Sequence, residues 1–315
     1  MKYIALLLSV ITSWLFINPA CAAINSYAAE RVIVSVIYSS SSEPYQQAWE
    51  GFRTYLTSKN VALWVSKYNL NEQSPEKIIS QVAEEKPQII FALGTKATRL
   101  AQVSFKNIPI VFALVLEPGL FNEPNITGVL MDIPAKMKLE WIKKLFPGVN
   151  ILGAVFSDRT TAKAVELQQA SNELGMKLIA EKVNSEKQLP EAIRGIKSQV
   201  EIFIMIPDTQ IYFPQSVKYL LQESLKQKLP VVGLSRYYSK DGAIISFDCD
   251  YLDMGKQAGE LAVKIIDGTK PKDIASVQPR KINFSLNLIV AKKLGVKFSP
   301  EIIKAATFIY EETVK

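Results

Sequence analysis

Short apolar runs alternate with amphipathic helical stretches along almost the whole chain, and that alternation confines it to a parallel α/β fold. Arg31 to Tyr38 (RVIVSVIY) opens the series as a β-branched strand. The helix after it carries Tyr45, Ala48, Trp49, Phe52, Tyr55 and Leu56 on one stripe, with Ser41 or Ser42 placed to cap it and Pro44 in its first turn. Strands follow at Val61 to Val65, Gln88 to Leu93 and Ile110 to Leu116, separated by helices over Pro75 to Glu84 and Thr95 to Ser104. The stretch PIVFALVLEPGLFNEPNITGV runs an unbroken apolar strand into Glu117-Pro118-Gly119. A carboxylate there sits at a strand's carboxyl end, the edge where open α/β sheets bind ligands, and it reads equally as a solvated loop acid.

A second set starts after Ile133-Pro134, with strands at Ile151 to Phe156, Lys177 to Ala180, Glu201 to Ile206 and Pro230 to Leu234. Helices separate them, the clearest over Pro214 to Gln227, with Val217, Leu220, Leu221, Ser224 and Leu225 facing inward. The last third reads as a return to the first set, with a strand at Ala243 to Phe247 and a helix capped by Asp250 and ended by Gly268. A strand over Lys281 to Leu286 and a helix over Leu288 to Leu294 then complete the core. Two similar sheets with several crossings make two lobes and a cleft.

Composition narrows the chemistry. Lys2, an apolar run from Tyr3 to Ile17 and Ala20-Cys21-Ala22 form a secretory signal over residues 1–22, so the mature chain is expected to be soluble and outside the cytoplasm. A lipoprotein reading of Cys21 competes, but Asn18-Pro19 stands where a lipobox wants Leu and small residues. Removal of the signal leaves 293 residues, a net charge of +6 and Cys249 as the sole cysteine, so no intrachain disulfide forms. Histidine is absent, which removes Ser-His-Asp and Cys-His catalysis and every His-based metal site. With no G-x-S-x-G, Walker or G-x-G-x-x-G loop, neither an enzyme nor a cofactor is expected. No Lys/Arg cluster or zinc spacing supports nucleic-acid binding.

Five stretches occur in order: PIVFALVLEPGLFNEPNITGV, KLFPGVNILGAVFSD, MIPDTQ, LPVVGLSRYYSKDGAIISFDCDYLDMGKQAGELAVKIIDGTKP and INFSLNLIVAKKLGVKFSPEII. Together they resemble the ABC-transporter substrate-binding family that includes the tryptophan-binding TrpX-type proteins. The resemblance spans essentially all the mature chain and implies the type I periplasmic binding protein fold, two Rossmann-like lobes with parallel sheets, joined by three crossings. The implied division is a first lobe over residues 30–133 and 236–278, and a second over 134–235 and 279–315. It further implies a monomeric periplasmic receptor that closes on a small-molecule ligand and delivers it to an ABC permease in the inner membrane. An extracytoplasmic sensor working with a histidine kinase or an outer-membrane receptor is the alternative.

In such folds the cleft is lined by strand carboxyl ends and helix N-termini. Gly94, Thr95 and Lys96 stand at such a junction, their amides and the Thr95 hydroxyl suited to a ligand carboxylate; a plain helix cap reads as well for Thr95. Asp208 and Thr209 match the family's pocket motif, with Asp208 suited to a ligand ammonium or, on the plainer reading, to capping the helix near Pro214. Glu43, Tyr45, Ser157 and Ser235 follow strands at the same edge, and Asp158 with Ser157 reads also as a cap. Tyr212, Phe213, Tyr237 and Tyr238 can form an aromatic wall or close the lobe interface. Where many members carry Asp before Pro118 this chain has Glu117, a longer acid, and Arg236 next to Ser235 can bias the pocket towards an acidic group.

Overall fold

The computed structural model describes residues 31–116 and 121–312. The expected signal segment and Glu117 lie outside the described residues. Two sheets organise the chain, one five-stranded in the order β2-β1-β3-β4-β5 and one seven-stranded in the order β12-β11-β10-β9-β8-β6-β7. The first is built from β1 (Val32–Tyr38), β2 (Leu63–Asn69), β3 (Ile89–Leu93), β4 (Ile110–Val115) and β5 (Ile126–Leu130), all parallel. Its helices are α1 (Glu43–Ser58), α2 (Pro75–Glu85) and α3 (Thr95–Ser104).

Strand periodicity explains why these runs are apolar throughout. Val34, Val36, Phe91 and Val111 face one core, while Ile37, Ile90, Ala92 and Ile110 face the opposite one, so each strand is covered on both sides. In β4 the alternation slips: Ala113 and Leu114 both join the first core and Val115 the second. The slip is a bulge between Phe112 and Val115, and it puts Leu114 in the left-handed region at φ 61°.

The second sheet holds β6 (Ile151–Phe156), β7 (Lys177–Lys182), β8 (Ile202–Ile204), β9 (Val231–Gly233), β10 (Ile245–Cys249), β11 (Ile282–Asn287) and β12 (Phe308–Tyr310). Its helices are α4 (Ala135–Leu145), α5 (Thr161–Glu173), α6 (Leu189–Ile196), α7 (Pro214–Lys226), α8 (Arg236–Asp241), α10 (Leu288–Leu294) and α11 (Pro300–Ala305). Every strand pair is parallel except β10 with β11, which run antiparallel. The expectation of parallel strands is corrected at that pair, because the chain leaves the lobe at the end of β10 and re-enters it at the same edge, where Cys249 pairs with Ile282.

A second correction concerns the lobe boundary. Residues 236–249 were expected in the first lobe, but β10 is hydrogen-bonded between β9 and β11, and Ile245 and Phe247 are buried in the second lobe's core. The chain returns to the first lobe only beyond Cys249, where α9 (Tyr251–Ile266) packs along α1. That packing is unusually close. A Cβ on Gly51 would lie 1.9 Å from the Leu252 carbonyl oxygen, and one on Gly255 1.9 Å from that of Ala48, so the two backbones touch. Phe52 of α1 stacks on Phe91 of β3 at 4.1 Å and ties the helix pair to the sheet.

Three segments therefore cross between lobes: β5 to α4, β10 to α9, and the stretch from Val277, which bridges to Val129, into β11. Polar contacts tie the first and third together. Lys163 of α5 pairs with Asp132 and, at 3.0 Å, with Glu166, whose other oxygen accepts the Ala135 N–H. Gln278 donates to Asp132. Among the described residues no helix is long and apolar enough to cross a membrane.

Candidate functional site

The loops at the carboxyl ends of both sheets face each other across the crossings. On the first lobe, β3 turns into α3 at Gly94, whose φ of 87° favours glycine. Space is tight as well: a Cβ there would lie 2.8 Å from Ser39 Oγ and 2.9 Å from the Tyr45 ring and hydroxyl, so those side chains would have to shift. Tyr45 thus closes over Gly94, as the structure brings these two predicted residues together. Burial pushes the Tyr45 phenol above its ordinary pKa.

Gly94, not Thr95, is the N-cap of α3, which corrects the capping reading of Thr95. Ser39 Oγ accepts the Ala97 N–H at 2.9 Å, and Thr98 Oγ1 donates to the Gly94 carbonyl at 2.9 Å. The amides of Thr95 and Lys96 stay open as donors at the start of a ten-residue helix, a setting that favours an anion. Thr95 is half-buried and the Lys96 side chain is exposed.

On the second lobe the expectation for Asp208 changes. Its Oδ2 accepts from Ser157 Oγ and Thr160 Oγ1, both at 2.6 Å, and from the Ser157 N–H at 3.2 Å. Its Oδ1 accepts the Gln210 N–H at 2.8 Å. Burial alone would raise the Asp208 pKa, but the hydrogen bonds from Ser157, Thr160 and the two backbone amides outweigh it and hold the carboxylate below its ordinary range. Four internal donors make Asp208 a clamp that locks the loop after β8 to the turn after β6. They stand where a ligand ammonium was expected. Ser157 is fully buried as the other half of that clamp and caps the short 3₁₀ turn Asp158–Thr160, while Thr209 is exposed.

Ser235 is the N-cap of α8 without a side-chain bond, and its neighbour Arg236 carries the interactions. The Arg236 N–H donates to Asp248 Oδ2 at 2.7 Å, and its guanidinium lies 4.4 Å from the Phe308 ring centre and 5.4 Å from that of Tyr237. From there it reaches Glu43, at the start of α1, at 2.8 Å. The Glu43–Arg236 pair joins the two lobes directly. Asp248 lies beneath it, accepting from the Tyr251 hydroxyl at 3.1 Å, and burial pushes its carboxyl above the ordinary range.

Sequence reasoning missed Asp248, Tyr251 and Phe308. A carboxylate inside the mostly buried strand ISFDC was the available signal for the first. The four aromatics Tyr212, Phe213, Tyr237 and Tyr238 are gathered on one side of the second lobe, between α7 and α8.

Two three-layered α/β lobes joined by three crossings, with ligand-facing loops at the carboxyl edges of both sheets, define a type I periplasmic binding protein fold. Residues 31–309 match the ABC transporter substrate binding protein family, and the chain belongs to it. Members are substrate-binding proteins rather than enzymes. A tyrosine-binding protein from Clostridioides difficile (strain R20291) is 21% identical over 262 residues, covering 79% of this chain and 75% of that protein. Among solved structures, the ligand-free, open structure of a substrate-binding protein with adhesive properties from Clostridium difficile superposes with a TM-score of 0.69. It is 18% identical, and the match covers 89% of this chain and 100% of that one. A Streptococcus pneumonia ABC domain in complex with L-Trp matches at a TM-score of 0.59 and 19% identity, over 89% and 99% of the two chains.

Proposed function

We propose that the protein is the extracytoplasmic receptor of an ABC importer, closing its two lobes on a small amino-acid-like molecule and presenting it to an inner-membrane permease. The observation that carries this reading is the opposed pair of polar loop edges, with open Thr95 and Lys96 amides on one lobe and the Arg236–Asp248 cluster on the other. An α-amino acid offers a carboxylate to the amides and an ammonium to a carboxylate on the far lobe. Asp208 already accepts four hydrogen bonds and Asp248 two, so of these second-lobe carboxylates Asp248 keeps more capacity for that ammonium. Tyrosine and tryptophan in the two related proteins above support an amino-acid ligand.

Binding groups on both lobes are satisfied together only in the closed form, so ligand shifts the population towards it. The test is mass spectrometry of small molecules released from the purified protein, followed by a thermal-shift panel of amino acids, nucleosides and organic acids. Small-angle scattering with the stabilising ligand should show a smaller radius of gyration. Stabilisation by nucleosides alone, or no compaction at saturation, would overturn the reading.

A further inference from the structure

A groove of about 560 Å³ runs between α7 and α8 on the second lobe, lined by residues of that lobe alone. Tyr212, Phe213, Tyr237 and Tyr238 form its walls, and Val217 and Leu221 its apolar floor. Phe213 is 44% exposed and Tyr237 61%, a large aromatic surface for a soluble protein to leave in water. The hydroxyl of Tyr212 is buried and has no hydrogen-bond partner. Tyr212 presents its ring, and not that buried hydroxyl, to the groove. Lys218 and Asp241 also line the groove and supply one charge of each sign.

We propose that this groove is a second small-molecule seat, separate from the cleft between the lobes, for a planar aromatic zwitterion. The volume suits a ligand of that size, the four rings offer stacking faces, and the Lys218 and Asp241 charges complement a carboxylate and an ammonium. Because no first-lobe residue takes part, the seat exists at any angle between the lobes. It can hold a molecule beside the cleft before closure begins. The ligand class rests on the amino-acid reading of the cleft, but the site does not.

Equilibrium dialysis with L-tryptophan and with L-tyrosine, on the wild type, Phe213→Ala and a groove-filling Val217→Trp, separates the two. The expected result is two equivalents bound, the weaker lowered about three- to tenfold in Phe213→Ala and lost in Val217→Trp, with the tighter one unchanged. One equivalent that both variants leave unchanged would overturn the groove while sparing the cleft. One equivalent that both variants weaken would support the groove and overturn the cleft reading for these ligands. No binding at all would overturn both.

Discussion

Asp208 shows how far a residue's role depends on partners remote in sequence. As a polar residue at a sheet's carboxyl edge it reads as a ligand group, but its donors Ser157 and Thr160 lie about fifty positions earlier and reach it only through the pairing of β6 with β8. Replacing it by Asn forces the new amide group to face at least one backbone N–H, that of Ser157 or of Gln210, donor against donor. Asp208→Asn should therefore lower stability by about 2 kcal/mol in urea denaturation, with ligand affinity little changed in the intact fraction. The pH dependence follows from the lowered pKa. Stability from this group is complete above the ordinary carboxylate pKa of about 4 and is lost as pH falls through the lower folded value, and the Asn variant should lack that acid-side loss. Glu43→Gln is the contrasting case. Its carboxylate is half exposed, so the melting point should shift by no more than about 2 °C, while spin-label distances between the lobes broaden as the tie to Arg236 is cut.

At the scale of elements, the continuous apolar strands β1, β3, β4 and β6 were readable because burial on both faces leaves no other composition. Strand β5, ITGVL, was missed: its Thr and Gly look like loop, and only pairing with β4 makes it a strand. The six-residue α8 is too short to show a period, and β12 is a three-residue edge. Nor does a strand's sequence say which sheet it joins, which is why the stretch ending in β10 was placed in the wrong lobe. The α1–α9 contact was hidden for a similar reason, since Gly51 and Gly255 meet only in space. Gly255→Ala sets a methyl against the Ala48 carbonyl and must push the helices apart; it should cost about 3 kcal/mol by chemical denaturation. An alanine at Gly148, where an added Cβ meets nothing within 4 Å, is the control.

For the molecule as a whole, two lobes and a cleft were legible from the alternation of elements, whereas the point of each crossing was not. Those crossings have a consequence for how the protein is made. The first lobe's core contains Met254, Ala258, Leu261 and Ala262 of α9, so the first hundred residues of the lobe lack one face of their core until residue 266 has been synthesised. A chain cut after Leu234 should leave strands β1 to β5 protease-sensitive and without cooperative melting, even though all five are present. Adding α9 as a separate peptide, residues 249–280, should restore protection in proportion to its concentration. Delayed completion of that core keeps the nascent polypeptide loose through most of its translation.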